Sequence, residues 1–244
     1  MLNITNTEVF GWMAAIRGMR NPRESWEKSD TYSVPSGYKE VAWLIGPNDL
    51  TLMKKLIAAG SDHSKFMRMI HVQCDWEAPL YWWKEADTYK VGTVRNSCST
   101  MHKITAHEFT TDMFSHEHLV SGWADKDSNE NSTILTGPIE CLENTIIMLN
   151  RVRGSYLASL KTESETGLSS KEIWWQLIQL LPSSYLQKAT MDLNYATLRN
   201  MYHSRKAHKQ DEWRIDFCNW VKTLPYSELI TMTKEELLES IKEE

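Results

Sequence analysis

Residues 138–163, PIECLENTIIMLNRVRGSYLASLKTE, read as one long helix opened by Gly137-Pro138. Proline suits the first helical position, because no acceptor waits there for the N–H it lacks and its φ is already helical. A helix of that length must lay an apolar side on a partner layer. Strand-like segments that could supply a layer are few. Residues 66–75 (FMRMIHVQCD) would put Met67, Met69 and His71 on one side, and residues 188–193 (KATMDL) form a second candidate. Long helices around two or so strands predict an α+β fold.

The rest of the chain reads mostly as further helices. Residues 7–19 carry Phe10, Met13, Ala14 and Arg17 at helical spacing, and residues 20–40 read as a loop. Asn48 is the expected cap of a helix over 48–60 that Gly60 ends. Ala78-Pro79 breaks the chain before a short helix over 81–89, residues 91–100 read as polar turns, and residues 121–133 as a surface loop. Ser169 or Ser170 caps a helix over 171–181 that Pro182 stops. Helices over 195–208 and 211–223 follow. The last segment, 233–244, is an acidic amphipathic helix with Thr233 and Glu236 in capping-box spacing.

Composition narrows the function classes. With 244 residues, 41% hydrophobic and 24% charged, the chain can bury a sizeable core and is expected to form one domain. Lys+Arg is 27 against 32 Asp+Glu, and a net charge of -5 argues against nucleic-acid binding. No 18-residue apolar run is present, so no membrane partner is expected, and the first residues lack the pattern of a secretory signal. The four cysteines, at 74, 98, 141 and 218, form no CxxC, which predicts reduced thiols and a cytoplasmic setting. Eleven Trp and twelve Met predict a large aromatic core.

Several constellations invite a catalytic interpretation and lack its signature. His102, His107, His116 and His118 crowd one segment without an HExxH, and His116 and His118 would diverge on a helix, so no metal is expected. No Gly-x-Ser-x-Gly surrounds Ser99, and no phosphate-binding glycine loop exists. The segment LRNMYHSRKAHK carries Arg199, His203, Lys206 and His208, a cationic side that reads first as a solvated face. Within it Arg205 and His208 are three apart, and Asn194 precedes the helix. Together they could grip an anionic planar ligand, Arg by stacking and bidentate bonding, Asn by its paired donor and acceptor.

These residues resemble the flavin-dependent thymidylate synthases over about residues 45–220. That family's C-terminal pattern reads here as Leu181-Pro182, Asn194, Leu198, Asn200, Arg205, His208, Gln210 and Glu212. No gap is needed from Pro182 to Arg205, and one residue is missing between Arg205 and His208. The central pattern reads as Ala78-Pro79-Leu80, Lys84-Glu85, then Thr88-Tyr89-Lys90 with Thr93, then Asn96 and Ser99, with His63 upstream.

The resemblance implies an α+β domain over 1–244, helices around a small antiparallel or mixed sheet, with helical extensions at about 1–44 and 224–244. It implies a homotetramer binding FAD and the pyrimidine nucleotide dUMP, with NADPH and methylenetetrahydrofolate as co-substrates. Ser99 and Arg205 would be the catalytic residues, Ser99 on the nucleotide and Arg205 on a pyrimidine carbonyl. His63, Tyr89, Lys90, Thr93, Asn96, Asn194, Asn200 and His208 would hold the cofactor. Met101 and Ile178 stand where the family has phosphate-binding arginines, and Glu85 stands where it has glutamine. Each lost charge-assisted bond costs about 1.5–3 kcal/mol, which Arg95, Lys103 or Arg199 would have to offset. Two functions follow: a flavin enzyme acting on dUMP or a modified relative, or a non-catalytic protein that kept the fold as a nucleotide-binding or protein-interaction module.

Overall fold

The computed structural model describes residues 1–36, 40–124, 134–135, 137–162 and 167–243. The strands are β1 (Asn3–Phe10), β2 (Tyr32–Ser36), β3 (Glu40–Leu44), β4 (His71–Pro79), β5 (Val94–Ser97), β6 (Trp123–Ala124), β7 (Ile134–Leu135) and β8 (Leu186–Asn194). The helices are α1 (Trp12–Arg20), α2 (Pro47–Ala58), α3 (Leu80–Ala86), α4 (Thr100–Lys103), α5 (Pro138–Ser159), α6 (Ser170–Leu180), α7 (Tyr195–Arg205), α8 (Cys218–Lys222), α9 (Glu228–Thr231) and α10 (Lys234–Glu243). The fold is α+β. Its residues form two compact units: Leu2–Trp76, Ala86–Asn96 and Ala189–Glu244 make the larger, and Met1, Glu77–Glu85 and Ser97–Lys188 the smaller.

The larger unit is organised by the sheet β1-β4-β8-β5. Its strands alternate in direction. Asn6 donates to Asp75 while Phe10 stacks on His71, and Thr190 donates to Asp75 while Asp192 bonds His71. Side chains alternate across a strand, so one face takes Val72, Cys74, Trp76, Met191 and Leu193, all buried. The other face is polar and holds His71, Asp75, Thr190 and Asp192. On the apolar side Trp76 meets Phe217 edge-on, and Trp12 of α1 meets Tyr195 of α7 edge-on. Each such large side chain withdrawn from water contributes about 1.5–3 kcal/mol. Burial pushes the Cys74 thiol up to about 12.

A buried ion pair fixes α1 to α2. Arg20 Nε donates to Asp49 Oδ1 at 2.7 Å, and the two side chains are 3% and 0% exposed. Asp49 also accepts from the hydroxyls of Ser29 and Thr31 and from the amides of Asp30 and Thr31. Burial alone would raise its carboxyl; the Thr31 and Ser29 hydroxyls and the Arg20 guanidinium outweigh that and hold it below the ordinary carboxylate value.

In the smaller unit α5 and α6 pack through Leu142, Ile146, Leu149 and Leu177 onto Ile104, Phe109 and Phe114. Asn150 of α5 clamps the loop, accepting from the Phe109 amide and donating to the Phe109 carbonyl. Ser169 and Glu172 form a full capping box at the start of α6. Buried Trp83 donates to the carbonyls of Ala78 and Gln187.

Several expectations change. The segment read as a helix from residue 7 is β1 up to Phe10, and the region 1–44 read as a helical extension holds three strands. In β1, half-buried Ile4 and Val9 are an odd number apart, and Asn6 between them sits at φ 52, which resets the alternation and hides the strand from a period-2 search. The loop expected over 20–40 contains β2, which pairs antiparallel with β3 from Tyr32↔Leu44 to Ser36↔Glu40. Residues 37–39 lie outside the described residues. Asn48 does not cap α2; Gly46 does, with Pro47 in the first helical position. The strand expected over 66–75 begins only at His71, behind a 3₁₀ turn over Lys65–Met69 that buries Met67 and exposes Met69. The polar turns expected over 91–100 include β5, an edge strand exposed at Val94, Asn96 and Ser97. Most of the expected surface loop 121–133 lies outside the described residues, as do residues 163 and 244 of two expected helix ends. Residues 211–223 form a π-helical turn, Glu212–Phe217, followed by α8. No helix among the described residues is long and apolar enough to cross a membrane.

Candidate functional site

In the larger unit a cavity of about 500 Å³ lies beside the start of α7. The cap of that helix builds one wall. Buried Asn194 Oδ1 accepts from the Thr197 amide at 3.0 Å, satisfying a first-turn donor. Asn194 Nδ2 donates to the Gly92 carbonyl at 3.3 Å, and Thr197 Oγ1 donates to the Val91 carbonyl at 2.8 Å. These bonds tie the loop after α3 to the helix. Gly92 has φ 69, and a Cβ there would sit 2.2 Å from Asn194 Nδ2, so the close approach requires glycine.

Tyr89 and Lys90 come from that loop, Asn194 from the end of β8 and Asn200 from α7; all four line the cavity, with Arg68 and His71. His71 Nδ1 is bonded to Asp192 at 2.9 Å, which orients its ring. Tyr89 is held from behind. Arg205 Nε donates to Tyr89 Oη at 2.8 Å, and its guanidinium lies 5.4 Å from the Tyr89 ring centre and 5.1 Å from that of buried Trp213. Thr93 Oγ1 donates to the Tyr89 carbonyl.

A second cavity, about 510 Å³, abuts the first, and Arg68, Ala196 and Asn200 line both. Ser61, Ser64, Arg199 and His203 also line it. Arg199 donates to the carbonyls of Leu229 and Ile230, and burial lowers its affinity for its proton. His203 Nε2 donates to the Ile230 carbonyl; burial, then the charges of Arg199 and Lys206, lower its pKa below the ordinary histidine value. Neither lining contains a carboxylate among the described residues.

Of the residues singled out in the sequence, Tyr89, Lys90, Asn194 and Asn200 therefore share one cavity. Arg205 and Thr93 bond to Tyr89 without lining either cavity. His63 is exposed on the turn between Ser61 and Ser64, and Asn96 is exposed on β5. His208 accepts from the Gln210 amide just past α7. Ser99 belongs to the smaller unit. There it caps α4, bonds His102 Nδ1 at 2.8 Å, and lines a pocket of about 650 Å³ with Lys103, His107 and Lys188 but also Glu77 and Asp112. Among the described residues no three His, Cys, Asp or Glu side chains gather to hold a metal.

Arg68 and His71 escaped the sequence reading because both fell inside a segment taken as one strand. The available signal was a lone arginine in the apolar run FMRMI. A 3₁₀ turn carries that arginine outward, away from the core that takes Phe66 and Met67.

No protein-family model matches the chain, and no curated protein matches it. Solved structures do. Thymidylate Synthase X from Helicobacter pylori, solved with FAD and dUMP, is 13% identical, over 94% of this chain and 96% of that one, with a TM-score of 0.58. A second structure of that flavin-dependent enzyme, also with FAD and dUMP, covers 93% and 96% at 13% identity and a TM-score of 0.59. The UMP/dUMP methylase PolB from Streptomyces cacaoi, bound with 5-Br dUMP, is 12% identical over 94% and 93%, with a TM-score of 0.52. With matches spanning nearly the full length of both chains, this protein has the fold of the flavin-dependent thymidylate synthases.

Proposed function

We propose that the protein acts on a pyrimidine deoxynucleotide, dUMP or a modified relative, with FAD seated beside α7. The observation that carries this is the convergence of Tyr89, Lys90, Asn194 and Asn200 on one cavity, from two segments a hundred residues apart in sequence. The cavity suits such a group. It offers amide side chains that donate and accept, an aromatic wall, and cations without carboxylates. When bound, FAD supplies the reducing equivalents for transfer of a one-carbon unit from methylenetetrahydrofolate, with NADPH as the reductant. Lys90, Asn194 and Asn200 would hold it, and Tyr89 would form a wall fixed in place by Arg205. Arg205 is thus assigned here as a positioning residue for Tyr89. Ser99, beside Lys103 and Lys188, is the candidate contact for the nucleotide. His63, Thr93, Asn96 and His208 remain candidate cofactor residues by resemblance, and a homotetramer in the cytoplasm belongs to the same proposal.

The purified protein is expected to be yellow, or to become so on adding FAD, with visible absorption bands that shift when dUMP is added. A colourless protein that takes up no FAD would overturn the proposal.

A second reading, retention of the fold without catalysis, is favoured by two positions in the smaller unit. Met101 is 50% exposed, and Ile178 packs against the α5–α6 core, where the family would place guanidinium groups for a phosphate. Formation of dTMP from dUMP with FAD, NADPH and methylenetetrahydrofolate would reject it; bound FAD without product would favour it.

A further inference from the structure

Arg68 stands where the two cavities beside α7 meet, and it lines both. It is exposed, at the end of a short 3₁₀ turn, and has no hydrogen-bond or ion-pair partner among the described residues. His71, held by Asp192, and Lys90 flank it in the first cavity; Arg199 and His203 flank it in the second. The start of α7 faces the same junction through Ala196. Of the first amides of α7, Tyr195 N is bonded to the Ile70 carbonyl and Thr197 N to Asn194, while no intrahelical acceptor exists for the Ala196 amide. The positive end of an eleven-residue helix and Arg68 thus meet at the junction, with Lys90 along one cavity, Arg199 along the other, and no carboxylate in either described lining.

We infer that Arg68 is the seat of a diphosphate, and that the two abutting cavities take the two halves of one dinucleotide. The inference rests on the flavin reading above and adds to it a residue and a register: ring system and amide contacts in the first cavity, phosphates at the junction, the second half against Ser61, Ser64 and His203. A planar guanidinium with no other partner matches a phosphate oxygen pair in a bidentate manner. The amphipathic alternative, Arg68 as a merely solvated side chain, predicts no ligand dependence on it.

The test measures affinities of the full chain for FAD, FMN and riboflavin by flavin fluorescence, and for dUMP and deoxyuridine by calorimetry, at one ionic strength. The parent protein is expected to prefer FAD over riboflavin. Arg68→Ala should weaken FAD by about tenfold to a hundredfold, leave riboflavin unchanged, and leave the far-UV circular dichroism unchanged; Arg68→Glu should weaken FAD further. Lys90→Ala should give a smaller loss in the same direction. An unchanged FAD-to-riboflavin ratio in both Arg68 variants would overturn the inference and leave the flavin reading standing. A fall in the dUMP-to-deoxyuridine ratio instead would assign the arginine to the substrate phosphate and overturn the dinucleotide register. Failure of the parent protein to bind any flavin would overturn the reading beneath both.

Discussion

In the larger unit, the cavity beside α7 is walled by Arg68, His71 and Lys90 with no carboxylate among its described lining residues. In the smaller unit, the pocket beside Ser99 sets Lys103, His107 and Lys188 against Glu77 and Asp112. The first lining leaves Arg68 and Lys90 without a carboxylate beside them, while in the second lysines and carboxylates are mixed. Their scaffolds differ in the same sense. Tyr89 and the loop behind it are fixed by buried Asn194 and by Arg205, whereas Ser99 is exposed at the head of a single helical turn. A resemblance that spans both regions therefore meets two different linings: basic side chains without carboxylates in one, both signs of charge in the other.

The largest expected effect comes from removing the guanidinium behind Tyr89. Arg205→Ala should cost about 2–3 kcal/mol, from one charge-assisted bond and two ring contacts, read as a fall in the urea midpoint. It should abolish flavin uptake as well, and Arg205→Lys should not restore it, because an ammonium cannot both stack and bond the phenol. Full stability in Arg205→Ala would break the claim that this site is rigidly backed. Gly92→Ala comes next. Forcing a Cβ against Asn194 at positive φ should destabilise by about 1–2 kcal/mol and loosen the cavity wall, measured as a weaker FAD affinity. Smallest is Ser99→Ala, which removes the cap of α4 and an exposed bond to the His102 ring, about 1 kcal/mol or less. It should weaken dUMP while leaving FAD affinity untouched; equal losses of both ligands would erase the contrast between the two regions.

The sequence made the helices legible wherever local chemistry decides them. Proline at the head of α5, the Ser169–Glu172 box of α6, the Thr233–Glu236 box of α10 and the strand leading into Asn194 are all readable because each signal lies within four residues of the boundary it sets. Elements set by distant partners were not. β1 is an exposed edge strand kinked at Asn6, β5 becomes a strand only by pairing with β8, and the 3₁₀ turn before β4 decides which way Arg68 faces. The candidate site divided the same way. Resemblance picked Tyr89, Lys90, Asn194 and Asn200, but the side chains completing the cavity, Arg68 and His71, follow no motif and gain meaning only once the backbone has placed them together.

The loop after α3 spends its carbonyls on the helix it faces: Val91 on the Thr197 hydroxyl and Gly92 on the Asn194 amide, the same Asn194 that stops the first turn of α7 from fraying. Replacing Asn194 would therefore uncap the helix and release the Gly92 carbonyl at the same stroke. Cavity wall and helix start thus hang on one side chain, and neither can be altered at Asn194 without the other.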